Sequence, residues 1–247
     1  MKKGKSAGID NIPAELVQAG GEDVATALRT IWNKTWQRGE WPTPWTQSLV
    51  ITLPKKGNLQ QCQNYRTISL IAVMLEILLN RLKAQAEKII AEEQTGFRAG
   101  RSTTEQIFNL RILCEKYLQQ QQDLGHVFID FKKVFNMVWH AALWATMKKY
   151  NISANLFRVI KNLCDKAANA VLFNSSIRDW FQTTVGVRQG CLLSVSPTLF
   201  SIFLERIVMD ASEDHEGTVS IGGRTITNLC FAENINGLAG VEEELAK

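Results

Sequence analysis

The apolar residues of this chain recur with two different periods, and the switching between them limits the folds open to it. Short runs such as Leu49-Val50-Ile51-Thr52-Leu53, stopped by Pro54, and Val127-Phe128-Ile129-Asp130-Phe131 are too brief for helices and read as strands. Between them run helical stripes. From Ile71, apolar positions fall at Leu75, Leu78, Leu79, Leu82, Ala86, Ile89 and Ile90, a 3.6-residue period. Ser102-x-x-Glu105 reads as a capping box opening a helix through Ile107, Leu110, Cys114 and Tyr117. Ser196-Pro197 offers an N-cap and a first-turn proline ahead of Leu199, Phe200, Phe203, Leu204 and Ile207.

Hairpin signals follow near the end. Gly222-Gly223 separates Thr218–Ile221 from Arg224–Ile226, and Glu233-Asn234 separates Asn228–Ala232 from Ile235–Ala239. Gln119–Gln122 reads as a frayed helix end or a loop. The expected class is α+β: a small, mostly antiparallel sheet packed by helices. With 247 residues and 45% hydrophobic composition, the chain can bury one large core or two smaller ones.

Several function classes are set aside early. No apolar run reaches the length of a membrane span, and Met1-Lys2-Lys3-Gly4-Lys5-Ser6 leads into polar sequence, not a secretory core. The five cysteines, Cys62, Cys114, Cys164, Cys191 and Cys230, are scattered without a Cys-x-x-Cys pair, so reduced thiols in an intracellular protein, cytoplasmic or nuclear and not secreted, are expected. Net charge is +4, yet the first 200 residues hold 25 of the 28 basic and 15 of the 24 acidic side chains. A basic body suits a polyanion, and it equally suits the solvated face of any cytosolic protein. Charge alone leaves both open.

Asp130 closes an apolar strand, where a carboxylate can offer hard oxygen to a divalent ion, and Glu233-Asn234 adds two oxygen-bearing side chains at a hairpin tip. Taken singly, each is equally a cap or a polar turn. Taken in order, six blocks tell more: Leu53-Pro54-Lys55-Lys56-Gly57-Asn58; Asn64-Tyr65-Arg66-Thr67-Ile68-Ser69-Leu70; Gly96-Phe97-Arg98-Ala99-Gly100-Arg101-Ser102-Thr103; Phe128-Ile129-Asp130-Phe131-Lys132-Lys133-Val134-Phe135-Asn136; Arg188-Gln189-Gly190-Cys191; and Phe231-Ala232-Glu233-Asn234. The series resembles the reverse transcriptases of LINE-type (non-LTR) retrotransposons, from Lys5-Ser6-Ala7-Gly8-Ile9-Asp10 nearly to the C-terminus.

The resemblance implies a right-hand polymerase fold, fingers-like with the start of the palm over residues 1–125 and a palm, expected to be incomplete at its C-terminal end, over 126–247, with the thumb expected to be absent. It implies that Asp130 is the first catalytic aspartate and that Glu233 and Asn234 complete the catalytic set, with Asp130 and Glu233 as metal ligands. It implies Lys55 and Arg66 as triphosphate contacts, Phe135 as the steric gate against a 2′-hydroxyl, and Gln189 with Gly190 beside the incoming nucleotide. It further implies Mg²⁺ (or Mn²⁺), an RNA template, a DNA primer and deoxynucleoside triphosphates, with no membrane partner; it leaves the oligomeric state open. Phe135 is also what a core residue looks like, and Lys55–Asn58 what a surface turn looks like.

The departures carry their own expectation. Where the family places aromatic-Ala-Asp-Asp, this chain has Phe231-Ala232-Glu233-Asn234. Glu233 keeps the charge one methylene further out, and Asn234 keeps an oxygen without the charge. Thr67 replaces a usual proline, Asn136 replaces an acid, and Val195-Ser196 reads as an insertion. Catalysis reduced by orders of magnitude, in a degenerate and truncated copy, is therefore expected. A non-catalytic nucleic-acid-binding remnant and an unselected product are the alternatives.

Overall fold

The computed structural model describes residues 4, 7, 9–54, 56–58, 60–61, 64–70, 75–131, 134–173, 176–182, 185–186, 196–213 and 217–241. In chain order the elements begin α1 (Ala14–Ala19), α2 (Gly21–Arg38), α3 (Thr43–Thr46), β1 (Gln47–Pro54) and β2 (Tyr65–Leu70). There follow α4 (Leu75–Ala86), α5 (Thr103–Gln119), β3 (Gly125–Asp130), α6 (Val134–Met137), α7 (His140–Lys149) and α8 (Ala154–Asp165). Next come β4 (Ala168–Phe173), β5 (Ser176–Ile177), β6 (Phe181–Gln182) and α9 (Ser196–Ala211). The chain closes with β7 (Ser220–Ile221), β8 (Arg224–Thr225), β9 (Asn228–Phe231) and β10 (Asn234–Ala239). Helices and sheets are mixed, in keeping with the α+β expectation.

Two compact units are each assembled from separate stretches: residues 1–85 with 135–199, and 86–134 with 200–247.

In the first unit, β1 pairs antiparallel with β2 and parallel with β4, which in turn carries β5 and β6. The other strand pairs described are antiparallel, as expected, and this parallel pair is the exception. Its members are more than a hundred residues apart in sequence, so no local turn signal announces it. Ser48, Leu49 and Val50 of β1 and Asn169 and Ala170 of β4 form the buried centre. α8 shows why it packs: Leu156, Val159, Ile160, Leu163 and Cys164 fall on one buried stripe.

Four of this unit's tryptophans cluster, with Trp32, Trp41 and Trp45 buried and Trp36 half-buried. Trp32 and Trp36 stack at 6.1 Å, Trp32 meets Trp41 edge-on at 5.9 Å, and Trp41 meets Trp45 at 6.4 Å. The Arg81 guanidinium sits 4.4 Å above the Trp36 ring. α2 ends on Gly39 in the left-handed conformation, and its last carbonyls are met by α8: Arg158 Nη2 donates to Trp36 O (2.8 Å) and Asn162 Nδ2 to Gly39 O (3.1 Å). Trp41 Nε1 likewise donates to Val159 O at 3.0 Å.

α4 stops at Ala86, short of the expected stripe through Ile90, because the chain turns there: Ile89 and Ile90 N–H both donate to Ala86 O. Residues 71–74, where that helix was expected to begin, lie outside the described residues, as does the segment preceding Ser196.

In the second unit, the sheet order is β3-β10-β9, antiparallel throughout. α5 opens as expected, with Ser102 Oγ accepting from Glu105 N (3.3 Å), and ends at Gln119, where Gln121 turns left-handed. Its Leu113 and Tyr117 form a buried cluster with Val219, Ile226, Leu229 and Leu238. The cluster closes the sheet face far from Asp130. Leu113→Ala should cost about 2–5 kcal/mol, because the helix backbone cannot collapse into the space left; urea titration followed by circular dichroism reads this as a lower midpoint with an unchanged slope.

Candidate active site

β9 and β10 form a hairpin, but its turn is not where the sequence suggested. Ala232 and Glu233 make the turn, and Asn234 is already the first residue of β10. The reason is backbone conformation: Ala232 adopts φ +55°, in the left-handed region. Asn234 thereby acquires two strand partners, Phe231 on one side and Asp130 on the other. Residues directly opposite in an antiparallel ladder project from the same face. One row therefore holds Asp130, Asn234 and Phe231, with Glu233 at the bend between the last two. Asp130 and Asn234 are exposed and Glu233 is half-buried.

The row itself borders a cleft of about 220 Å³, lined further by apolar Ile107, Leu110, Phe128 and Leu229 together with Gln106 and Asn236. Asn236 is buried, and among the described residues neither its Nδ2 nor its Oδ1 has a hydrogen-bond partner; Gln106 Oε1 is likewise unmet. An unmet buried amide costs stability.

The opposite sheet face presents a second cavity of about 180 Å³, where Cys230 of β9 faces Glu205 of α9. Glu205 is 8% exposed and accepts from Ala91 N at 3.1 Å. Burial raises its pKa, the Ala91 bond opposes this, and the Glu93 charge adds to it. Burial, reinforced by Glu205 and Glu93, pushes the Cys230 thiol up to about 12.

Of the residues singled out in the sequence, the structure brings together Asp130, Glu233 and Asn234. Phe135 lies on α6, buried. Arg66 lies on β2 opposite Leu53. Lys55, Gln189 and Gly190 lie outside the described residues. Sequence reading missed Glu205, Asn236 and Gln94, a buried residue bonded to the turn itself. Glu205 and Asn236 each interrupt an apolar pattern, which is a usable signal. Gln94 gives none.

Two carboxylates and one amide oxygen are hard donors of the sort Mg²⁺ prefers. They are few. Among the described residues no three His, Cys, Asp or Glu side chains are grouped to hold a metal ion.

Comparison with known proteins supplies the lineage. Residues 53–243 match the reverse transcriptase (RNA-dependent DNA polymerase) family. This chain belongs to that family. Its similarity to transposon proteins makes it a reverse transcriptase domain of the non-LTR retrotransposon kind. It is 27% identical over 209 residues to the transposon TX1 149 kDa protein of Xenopus laevis, covering 83% of this chain and 16% of that one. It is 28% identical to a probable RNA-directed DNA polymerase from transposon BS of Drosophila melanogaster (81% of this chain, 22% of that one). It is 27% identical to the Pol polyprotein of the type-1 retrotransposable element R2 of Popillia japonica (80% and 28%). The reverse transcriptase domain thus spans between a sixth and under a third of these relatives' length. In fold it is similar to telomerase from Candida tropicalis, with TM-score 0.59 and 14% identity over 91% of this chain and 41% of that one. Among the described residues no helix is long and apolar enough to cross a membrane.

Two outcomes follow from the cavity around Cys230. Because its thiol titrates near 12, Cys230 should stay unmodified by iodoacetamide at pH 8 in the folded protein and react after unfolding, as read by peptide mass mapping. Glu205 has a folded pKa above its unfolded value, so its effect on stability is absent below the unfolded value. A destabilisation then grows as pH rises through the folded pKa. Glu205→Gln can still accept from Ala91 N–H and should remove that slope, making the variant the more stable protein at pH 8 but not at pH 4.5; melting curves at the two pH values check this.

Proposed function

We propose that this domain derives from, and retains the scaffold of, an RNA-templated DNA polymerase, and that its own chemistry is impaired at the hairpin tip. The observation carrying the proposal is the row Asp130, Asn234 and Phe231, with Glu233 at the adjoining turn. Phosphoryl transfer depends on positioned charge more than on covalent chemistry by the protein. A rigid three-stranded sheet that aligns acidic and amide oxygens on one face is suited to that task.

On this reading Asp130 is the principal carboxylate and Glu233 the second. Asn234 stands where a third charge is needed and supplies only a dipole. Lys55 and Arg66 contact the triphosphate, Phe135 limits the sugar, and Gln189 with Gly190 borders the nucleotide. Fingers-like residues 1–125 and palm residues 126–247, an RNA template, a DNA primer, deoxynucleoside triphosphates and a cytoplasmic or nuclear site of action belong to the same proposal, as does a dependence on Mg²⁺ or Mn²⁺. The carboxylate shortfall is also the one observation favouring a second reading, a nucleic-acid-binding domain without catalysis, which needs only basic and stacking surfaces.

Primer extension on an RNA template, in Mg²⁺ and separately in Mn²⁺, tests the proposal. The chain would run beside the double variant Glu233→Asp, Asn234→Asp. The expected result is extension by the double variant and a rate lower by roughly 10²-fold or more for the chain as it stands, the scale of losing one charge-stabilising group. Equal rates would remove the claim of impairment. Failure of both would leave the second reading, which salt-dependent binding to an RNA–DNA hybrid would then support.

A further inference from the structure

The turn that carries Glu233 is held in a backbone conformation that alanine does not favour. At φ +55°, Ala232 has a side chain where glycine would be expected, and left-handed backbone at a non-glycine residue persists only where surrounding contacts enforce it. The contacts come from residues 93–96, far away in sequence. Cys230 N–H donates to Glu93 O (2.9 Å) and Thr95 N–H to Cys230 O (3.0 Å), so this segment lies along β9 like a short extra strand.

Gln94 is the centre of the arrangement. It is 4% exposed. Its Oε1 accepts from Ala232 N (2.9 Å) and from Gly96 N (2.8 Å), while its Nε2 donates to Ala232 O (3.1 Å). One carboxamide therefore meets both the donor and the acceptor of the single left-handed residue. The approach is close enough to require glycine next door: a Cβ at Gly96 would lie 2.1 Å from Ala232 N. The segment is itself anchored, since Arg98 Nη1 donates to Ala91 O (2.6 Å) and Gln94 O (3.0 Å), and Gln106 Nε2 donates to Glu93 O (2.7 Å) and Cys230 O (3.2 Å).

We infer that Gln94 is a positioning residue for the hairpin tip: its carboxamide latches the Ala232–Glu233 turn in the left-handed conformation and so fixes where Glu233 and Asn234 stand relative to Asp130. It touches no reacting atom and acts through the backbone of Ala232. Without the latch, the turn would relax toward the ordinary right-handed or extended regions. Asn234, first in its strand, would then lose its register opposite Asp130. The latch rests on contacts within the fold; only its consequence for chemistry rests on the polymerase reading.

Amide hydrogen exchange on the full chain tests the latch directly. Gln94→Met keeps length and volume and removes all three bonds. Residues 230–236 should exchange about tenfold faster or more, as expected from losing net hydrogen bonding at one site, while α5 retains its protection. Unchanged protection over 230–236, or an equal loss across α5, would overturn the inference, since the second pattern marks a general structural role. If Gln94→Met does not fold, Gln94→Glu serves instead: it keeps an acceptor for both N–H groups and loses only the bond to Ala232 O. Its expected loss of protection is smaller and again confined to the hairpin, and the same two outcomes would overturn the inference.

A second readout uses the Glu233→Asp, Asn234→Asp background. There, Gln94→Met should lower kcat about tenfold or more and leave KM for the nucleotide unchanged, because placement and not binding is lost. A change in KM with kcat preserved would count against positioning. Should that background extend no primer at all, the polymerase reading is what fails, and hydrogen exchange alone decides the latch.

Discussion

The backbone ladder between β3 and β10 sets Asp130 across from Asn234, and the rest of the site is hung from that register. A slip by one residue would turn every side chain of β10 to the other face. It would carry Asn234 away from Asp130 and lift Leu238 out of the cluster with Leu113, Tyr117, Val219, Ile226 and Leu229. Core and site are thus fixed by one set of hydrogen bonds. The hydrophobic end of the sheet chooses the register and the polar end inherits it.

That division of labour explains how a tip can change while its support does not. Glu233 is half-buried and Asn234 exposed, so neither side chain belongs to the buried core. The sheet, the left-handed turn and the segment along β9 hold without them. Stability therefore places little constraint on the chemistry at the tip, whereas Gly96, with backbone pressed against it, has no such freedom. Asn236 marks a place where the support itself bears a cost, with an amide enclosed and unmet inside the apolar cleft.

Much of this was legible in the sequence, because the relevant physics is local. The strand ending in Asp130, the capped helix from Ser102 and the Gly222-Gly223 hairpin each follow from period, cap or turn chemistry within a few residues. What escaped reading was non-local. The parallel pairing of β1 with β4 joins distant segments. The turn was displaced by one residue, to Ala232-Glu233, because Asn-containing turns are the usual left-handed formers and nothing nearby reveals a glutamine 138 positions away in sequence holding an alanine there instead. Phe135 shows the opposite case: a single burial value is compatible with both a gate and a core residue, so the order of motifs along the chain says more than the side chain's surroundings.

β3 occupies one end of its sheet, and among the described residues its outer edge pairs with no further strand. Phe128 on that strand is 74% exposed, and Val127 and Ile129 also face solvent. The stretch Gly125–Asp130 contains no lysine or proline to blunt it. Such an edge is a template for any chain that arrives extended, including another molecule of the same protein. The strand that bears Asp130 is therefore also the strand at which a second chain could extend this sheet.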